Sequence, residues 1–195
     1  EDFFASKKDS SQWVKANPIT GDVNTAENEG AQNISQDGQW LVFTGCNRPD
    51  GFGSCDIYIS YFDKNGWTEA ANLGGWVNTE QWESQPCLSA DKRDLYFASR
   101  RPGGFGGIDI YVSHLQANGK WGEPENLGAG INTSGDEQCP FIHADNQTLY
   151  FTSNYWPGYG DDDLFFVRKG PGGDWSKPIN LGYPINTINR EGTLF

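Results

Sequence analysis

Short apolar segments recur along the chain at a nearly constant interval, separated by segments rich in glycine, asparagine and aspartate. One kind is rich in β-branched and aromatic residues, has the length of a strand, and occupies 41–44, 95–98 and 149–152. A second kind begins with aspartate and occupies 56–59, 109–112 and 163–166. Such runs between turn residues predict β-strands, and no stretch of useful length has the period of an amphipathic helix.

Three residue markers keep the same spacing throughout the chain. A tryptophan recurs every 54 residues, at Trp13, Trp67, Trp121 and Trp175. Asn-Thr pairs begin at Asn24, Asn78, Asn132 and Asn186, and a glutamate follows at Glu29, Glu83, Glu137 and Glu191. Chance does not hold three markers in register over four copies, so the spacing indicates a repeat architecture.

Each copy of the repeat predicts four short strands with turn chemistry between them. Four such strands are the content of one β-propeller blade, so we predict an all-β fold of blades with four antiparallel strands each. The predicted organisation is a partial blade at 1–25, full blades at 26–79, 80–133 and 134–187, and the first strand of a further blade at 188–195.

The repeat resembles a known family. The stretch 28–38, followed by Leu41-Val42-Phe43-Thr44 and Asp56-Ile57-Tyr58, is similar to the TolB-like (WD-type) β-propeller repeat. The segment that runs from Trp67 to Asn78-Thr79 resembles the variant found in envelope proteins of the Bacteroidota. In that group such propellers accompany OmpA-like peptidoglycan-binding domains, as in the PorE-type lipoproteins of the type IX secretion system.

The resemblance also implies a ring size. Six-bladed rings are usual in this family, and six blades with a period of 54 residues need about 324 residues. A four-bladed ring built from this chain would lack one aromatic strand and leave backbone groups unpaired. We therefore expect the chain to be an incomplete part of a larger propeller or polypeptide.

Composition narrows the classes of partner. The chain has 195 residues and a formal net charge of −12. Nucleic-acid binding requires a basic face, and anionic lipid attracts basic segments, so we expect neither partner. Because no apolar stretch reaches about 18 residues, we also expect no direct insertion into a membrane.

The cysteines suggest an oxidising compartment. Cys46 and Cys55 flank the glycine-rich loop of one repeat, and a hairpin loop brings its ends close enough for a disulfide, although two buried thiols are the alternative. Cys87 and Cys139 lie on predicted first strands, two residues out of register, so a bridge and two separate thiols both stay open. Disulfides would place the protein in the periplasm or outside the cell.

The sequence offers little for catalysis or metal binding. Asp161-Asp162-Asp163 gathers oxygen ligands, but the spacing of a calcium loop is absent and Asp163 is the recurrent strand-opening aspartate. No nucleophile elbow, zinc-helix motif or phosphate loop occurs. We expect no enzyme, no cofactor and no metal site, although the many carboxylates leave a glycosidase-like pair open.

Aromatic residues that the repeat does not share are the candidate binding residues. Trp76, Trp82 and Trp156 are replaced by other residue types in the other copies, and all three lie in predicted loops. Tyr159 belongs to the same set, with Tyr183 as a weaker member. Loop aromatics on a rigid scaffold can anchor a protein or stack on a sugar, and packing against a neighbouring blade is the alternative.

The functional expectation combines these observations. The chain is expected to be a non-catalytic scaffold in the envelope of a Gram-negative bacterium, with an envelope protein as partner. A glycan-binding module is the alternative, and a sialidase-like or other hydrolase is the third hypothesis. The resemblance adds a peptidoglycan-linked type IX secretion assembly as a possible context.

Overall fold

A computed structural model describes residues 2–192, and all regular structure in this part of the chain is β-strand. The predicted all-β class and the sheets of four antiparallel strands are confirmed. The first full sheet contains β5 (Asn28–Ile34), β6 (Trp40–Cys46), β7 (Cys55–Asp63) and an interrupted fourth strand, β8 (Gly66–Trp67) and β9 (Ala71–Asn72).

The next two sheets repeat this plan. The second sheet contains β10 (Glu83–Leu88), β11 (Asp94–Ser99), β12 (Asp109–His114) and β13 (Glu125–Asn126). The third contains β14 (Glu137–Ile142), β15 (Thr148–Ser153), β16 (Asp163–Arg168) and β17 (Ile179–Asn180). All pairings within the sheets are antiparallel.

The ends of the chain are simpler. Before the first sheet, β1 (Phe4–Ala5) pairs with β4 (Asn17–Pro18). Between them, β2 (Lys8–Asp9) pairs with β3 (Gln12–Trp13). At the other end, residues 188–192 contain no strand, and 193–195 of the predicted further strand lie outside the described residues. The repeat boundaries themselves stay a prediction.

The hydrophobic core lies between consecutive sheets. In β11, Leu95 and Phe97 pack towards the first sheet, whereas Tyr96 packs towards the third. Leu149 and Phe151 of β15 again face the preceding sheet. Successive side chains of a strand point to opposite faces, so a strand buried on both faces has a continuous apolar run.

A buried asparagine fastens the end of each sheet to its third strand. The side chain of Asn132 accepts a hydrogen bond from the Ile110 N–H (2.8 Å) and donates one to the Ile110 carbonyl (2.9 Å). Asn78 and Asn186 do the same with Ile57 and Leu164. This side chain therefore takes the place of a backbone group in the β-ladder.

The threonine after each asparagine continues the connection into the next sheet. Thr133 donates its backbone N–H and its hydroxyl to the two oxygens of Glu137, both at 2.7 Å. Glu137 also accepts a hydrogen bond from the hydroxyl of Ser153, on the next strand (2.6 Å). The Asn-Thr-Glu markers of the sequence therefore form one polar link between sheets, which we call the Asn-Thr-Glu staple.

Sheets also meet through an ion pair at one of the turns. Lys92, in the turn that follows β10, forms a salt bridge with Asp37 of the preceding sheet. Its ammonium group also lies 5.0 Å from the centre of the Trp40 ring. Hydrogen bonds from Lys92 and from the Ser35 hydroxyl lower the pKa of Asp37 to about 2.

Replacing Asn132 tests the staple. In Asn132→Ala, the Ile110 N–H stays buried without a partner, which costs about 1–3 kcal/mol, and the Ile110 carbonyl keeps only its hydrogen bond from the Leu127 N–H (3.1 Å). We expect the free energy of unfolding to fall by about 3 kcal/mol, measured by urea denaturation. Asn118→Ala, in an exposed turn, is the control. Equal losses in both variants would contradict the structural role of Asn132.

Removing the charge of Lys92 tests the ion pair. In Lys92→Met the pKa of Asp37 rises from about 2 towards its ordinary value of 3.8, and it stops short because Ser35 still donates. A depressed carboxyl pKa stabilises the fold above the unfolded pKa, and this contribution is lost as the pH falls towards 2. NMR titration of Asp37 measures the shift, with Lys64→Met as control. An unchanged titration would remove Lys92 as the cause.

Candidate functional site

The strand order places two kinds of loop at the same end of every sheet. Each second strand runs towards this end, and each third and next first strand starts from it. We call this the loop end, formed by 47–54, 100–108 and 154–162 within sheets, by 73–82 and 127–136 between them, and by 19–27 before the first sheet and 181–190 after the third. The opposite end, the turn end, carries the short turns of the hairpins.

A buried aspartate at the start of each third strand shapes the loop before it. Asp109 accepts hydrogen bonds from the backbone N–H groups of Phe105 (2.5 Å) and Gly106 (3.1 Å). The amide of Asn126, on the fourth strand, donates to the same carboxylate (2.9 Å). Asp56 and Asp163 also bind loop N–H groups. The loop backbone is therefore fixed to the sheet.

The fixed backbone leaves one aromatic ring exposed at each loop tip. Phe52, Phe105 and Tyr159 occupy equivalent places between two glycines, and their side chains are 51%, 50% and 57% exposed. There is no room for a side chain at the glycine that follows each ring, Gly53, Gly106 or Gly160. A Cβ atom there would lie about 2 Å from a neighbouring carbonyl oxygen. Comparing the repeats of this sequence with one another identified Tyr159 as a candidate but missed Phe52 and Phe105.

Trp76 and Trp82 lie on either side of the first of these loops. The Phe52 ring approaches Gly75, the residue before Trp76, whose own side chain is 60% exposed. On the other side, Cys55 forms a β-bridge with Trp82, and the Ser54 N–H donates to the Gln81 carbonyl (2.9 Å). Two predicted anchors therefore lie on the chain segments that flank the Phe52 loop. We call Phe52, Trp76 and Trp82 the aromatic cluster.

The loop of the aromatic cluster is closed by a disulfide. Cys46 and Cys55 face each other on β6 and β7 and are bonded, which confirms the predicted pair. The guanidinium group of Arg100 lies 5.4 Å from the centre of the Trp82 ring, so that half-buried tryptophan has a partner within the chain. Trp76 is more exposed than Trp82.

Trp156 has a structural partner at the third sheet. Its indole N–H donates to the Ile131 carbonyl of the preceding sheet (3.1 Å), and the side chain is half-buried against the core. In the earlier sheets, Arg48 and Arg101 donate to the equivalent carbonyls of Val23 and Val77. Trp156 therefore replaces an arginine that joins two sheets. The adjacent Tyr155, 57% exposed, is the ring that faces solvent.

Among residues 2–192, this replacement leaves the buried Glu137 without a cation. Arg48 is 2.9 Å from Glu29, and Arg101 is 3.7 Å from Glu83. The equivalent Glu137 has Trp156 in place of the arginine, and burial raises its pKa.

The loops of the first and second sheets also differ in length by one residue. From Gly45 to Asp56 the chain takes one more step than from Ser99 to Asp109. It takes one fewer from Asp56 to Trp67 than from Asp109 to Trp121, so the period is restored. This offset is why Arg101, rather than Pro102, is the counterpart of Arg48.

Of the two alternatives left open for Cys87 and Cys139, the structure has two separate thiols and no bridge between them. A β-bulge shifts the register of the first strand between Ser84 and Cys87, and again between Gln138 and Phe141. An extra residue reverses the alternation of side chains. Two residues that are two positions out of register therefore do not share a face here.

The bulges line a cleft where the first strands of the three sheets meet. Its volume is about 540 Å³, and Ile34, Pro86, Cys87, Pro140 and Phe141 form much of its wall. Each bulge places a non-glycine residue at positive φ: Ala31 at 47°, Gln85 at 57° and Cys139 at 53°. The Cys139 N–H then donates to the Gln85 side chain of the preceding sheet (2.9 Å). The bulges are thus used for contacts between sheets.

Other reactive groups are dispersed. Burial raises the pKa of the Cys87 thiol to about 11, which keeps it protonated. Asp161 is exposed, Asp162 pairs with Arg190, and Asp163 binds its own loop. Within residues 2–192 no three histidine, cysteine or carboxylate side chains converge on a metal position.

No helix of this part of the chain could cross a membrane. Tyr183 is 80% exposed.

Comparisons with solved structures identify the fold. TolB from Acinetobacter baumannii superposes with a TM-score of 0.60 at 14% identity, over 86% of this chain and 35% of that protein. A protein described as TolB from Agrobacterium tumefaciens gives 0.53 at 20% identity, over 80% of this chain and 51% of that protein. A Mycobacterium tuberculosis puromycin-hydrolysing peptidase gives 0.52 at 18% identity, over 92% and 30%.

These matches define the architecture and nothing finer. The chain spans about a third to a half of the two TolB proteins that it matches. No family model and no curated protein matches the sequence. At these identities, the likeness shows a TolB-like β-propeller fold, which scaffolds and enzymes both use.

Substitution of Trp156 tests its role between sheets. Trp156→Ala removes a packed ring and is expected to lower the free energy of unfolding by about 3 kcal/mol. Trp156→Arg should lose less, because it restores the arginine that other sheets have at this place. Tyr155→Ala, at the exposed neighbour, should change stability little. If Trp156→Ala were as mild as Tyr155→Ala, Trp156 would regain its place as a candidate binding anchor.

The same arginine should change the pH dependence. A raised pKa means that Glu137 contributes stability below its unfolded pKa and that this is lost as the pH rises through the folded pKa. Trp156→Arg lowers the folded pKa, so the loss should shrink. Unfolding free energies measured from about pH 4 to pH 7 should fall less in Trp156→Arg than in the native chain; parallel curves would contradict this.

Proposed function

We propose that this chain is a non-catalytic protein-binding propeller of the bacterial cell envelope, and that its partner docks on the loop end. The observation that carries the proposal is the set of exposed rings at equivalent loop tips, Phe52, Phe105 and Tyr159. A buried carboxylate fixes the loop behind each of them. Large aromatic side chains on a rigid backbone lose little conformational entropy on binding, which suits them as anchors.

Other features support the compartment and the absence of catalysis. The Cys46–Cys55 disulfide is typical of an oxidising compartment such as the periplasm or the cell exterior. His114 and His143 each pair with one aspartate, Asp94 and Asp145, at the turn end. A place in a peptidoglycan-linked type IX secretion assembly is the finer form of the proposal.

Glycan binding is the second candidate. Trp76 is 60% exposed and follows Gly75, which the Phe52 ring approaches, and exposed rings also stack on sugars. The two proposed functions are distinguished by whether a protein or a glycan binds at the loop end.

Site-specific cross-linking in the native cell tests the proposal. The photoreactive residue p-benzoylphenylalanine is introduced at Phe105 on the loop end or at Phe62 on the turn end, whose side chains are 50% and 53% exposed. We expect an envelope protein to be cross-linked from position 105, and much less from position 62, because only the first lies on the proposed docking surface.

Two controls define the outcome. Adding Trp76→Ala to the Phe105 probe should reduce the cross-linked product, since both rings belong to the same surface. Equal products from both positions, or products from position 62 alone, would sink the loop-end proposal. No protein product, together with a glycan-array signal that Trp76→Ala abolishes, would establish the glycan alternative instead.

A further inference from the structure

The lysines of this propeller lie at one of its two ends. Within residues 2–192, all eight lysines lie in the turns of the turn end or within four residues of them: Lys7, Lys8, Lys15, Lys64, Lys92, Lys120, Lys169 and Lys177. The loop end has no lysine. Its exposed acidic side chains include Asp22, Glu27, Asp50, Glu80 and Asp161.

The arginines of the loop end are already engaged within the chain. Arg48 and Arg101 lie in the staples, opposite Glu29 and Glu83. Arg100 lies over the Trp82 ring. Arg190 forms a salt bridge with Asp162. These arginines therefore have partners within the chain, whereas the acidic side chains named above are exposed at the loop end.

Each of the three loop-tip rings, Phe52, Phe105 and Tyr159, has an acidic residue close by in the chain or on the neighbouring loop. Asp50 precedes Phe52 by two residues, and Asp161 follows Tyr159 by two. At the second loop tip, an oxygen of Asp136, from the loop that leads into the next sheet, lies 2.5 Å from the Cβ position of Gly107, two residues after Phe105. The three loop tips thus combine a ring with an acidic residue that comes from three different places in the sequence.

This pairing suits a basic side chain. A guanidinium or ammonium group binds over the face of an aromatic ring and forms charge-assisted hydrogen bonds with a neighbouring carboxylate. The apolar stem of the same side chain, or an adjacent apolar residue, covers the rest of the ring. Repetition of the pair over consecutive sheets suits a partner with several basic residues.

We infer that the loop end binds a protein segment in which arginine or lysine residues alternate with apolar ones. The inference rests on the proposed protein-binding function and specifies the chemistry of the partner. Acidic proteins, and segments without charge, are excluded by the same surface, because it offers them repulsion or leaves its carboxylates unpaired.

The test uses a synthetic probe. A fluorescent peptide of about twelve residues repeats Arg-Ser-Leu-Ser, and its matched controls repeat Glu-Ser-Leu-Ser and Arg-Ser-Ser-Ser. Fluorescence anisotropy with the intact chain should give binding of the first peptide that weakens as salt rises. The glutamate peptide should not bind, and the peptide without leucine should bind more weakly.

Matched variants locate the binding. Glu80→Lys with Asp161→Lys reverses two charges at the loop end and should weaken binding about tenfold, or about 1.4 kcal/mol. Glu69→Lys with Glu123→Lys makes the same change of charge outside the loop end, at positions where other repeats already have Lys15 and Lys177. That control should leave the affinity within about twofold.

A neutral pair of variants guards against a folding defect. Phe105→Ser should weaken the peptide, whereas Phe62→Ser, equally exposed at the turn end, should not. Equal weakening by both charge variants would reveal non-specific attraction to an acidic protein and overturn the inference. So would equal binding of the glutamate peptide. If a protein is still cross-linked at position 105, either result overturns only the inference that the partner is basic. If no protein is cross-linked there, the protein-binding proposal fails as well.

Discussion

The staple between sheets is the interaction on which the rest of this structure depends. A sheet of four short strands buries apolar side chains on both faces, so it is stable only against its neighbours. The buried asparagine supplies the hydrogen bonds that the third strand would otherwise lack, and the threonine beside it holds the glutamate of the next sheet. Because these are adjacent residues of one chain, the position of one sheet fixes the next.

The loops follow from that arrangement. Fixed sheets bring each strand-opening aspartate under the glycine-rich loop, where it binds loop N–H groups and an asparagine of the fourth strand. The backbone needs of the loop are met from below by a buried group. Its outward side chains are therefore free to differ between sheets, and the exposed rings and acids lie there. Framework and surface are separated within a few residues.

The sequence predicted the framework well because its polar parts have strict spatial requirements. A residue such as Asn132, with two backbone partners on one neighbouring residue, recurs at a fixed step. Exposed residues were harder to predict. Phe52 and Phe105 recur like framework residues yet face solvent, so repetition alone did not separate the two roles. Trp156 differs in residue type from its counterparts, but like Arg101 it donates a hydrogen bond to a carbonyl of the preceding sheet. The bulges left no pattern that alternation could detect, and this misplaced Cys87 relative to Cys139.

The one-residue difference between the first two loops bears on how such a chain changes over time. The extra residue before Asp56 is offset before Trp67, within the same sheet. The points that must meet the neighbouring sheets, Trp67 and Asn78, are not displaced. Insertions and deletions in a loop can therefore be corrected locally, without adjusting the remaining sheets. A propeller of this kind can therefore carry a loop of different length and chemistry in one repeat alone, such as the disulfide-closed loop of the first sheet.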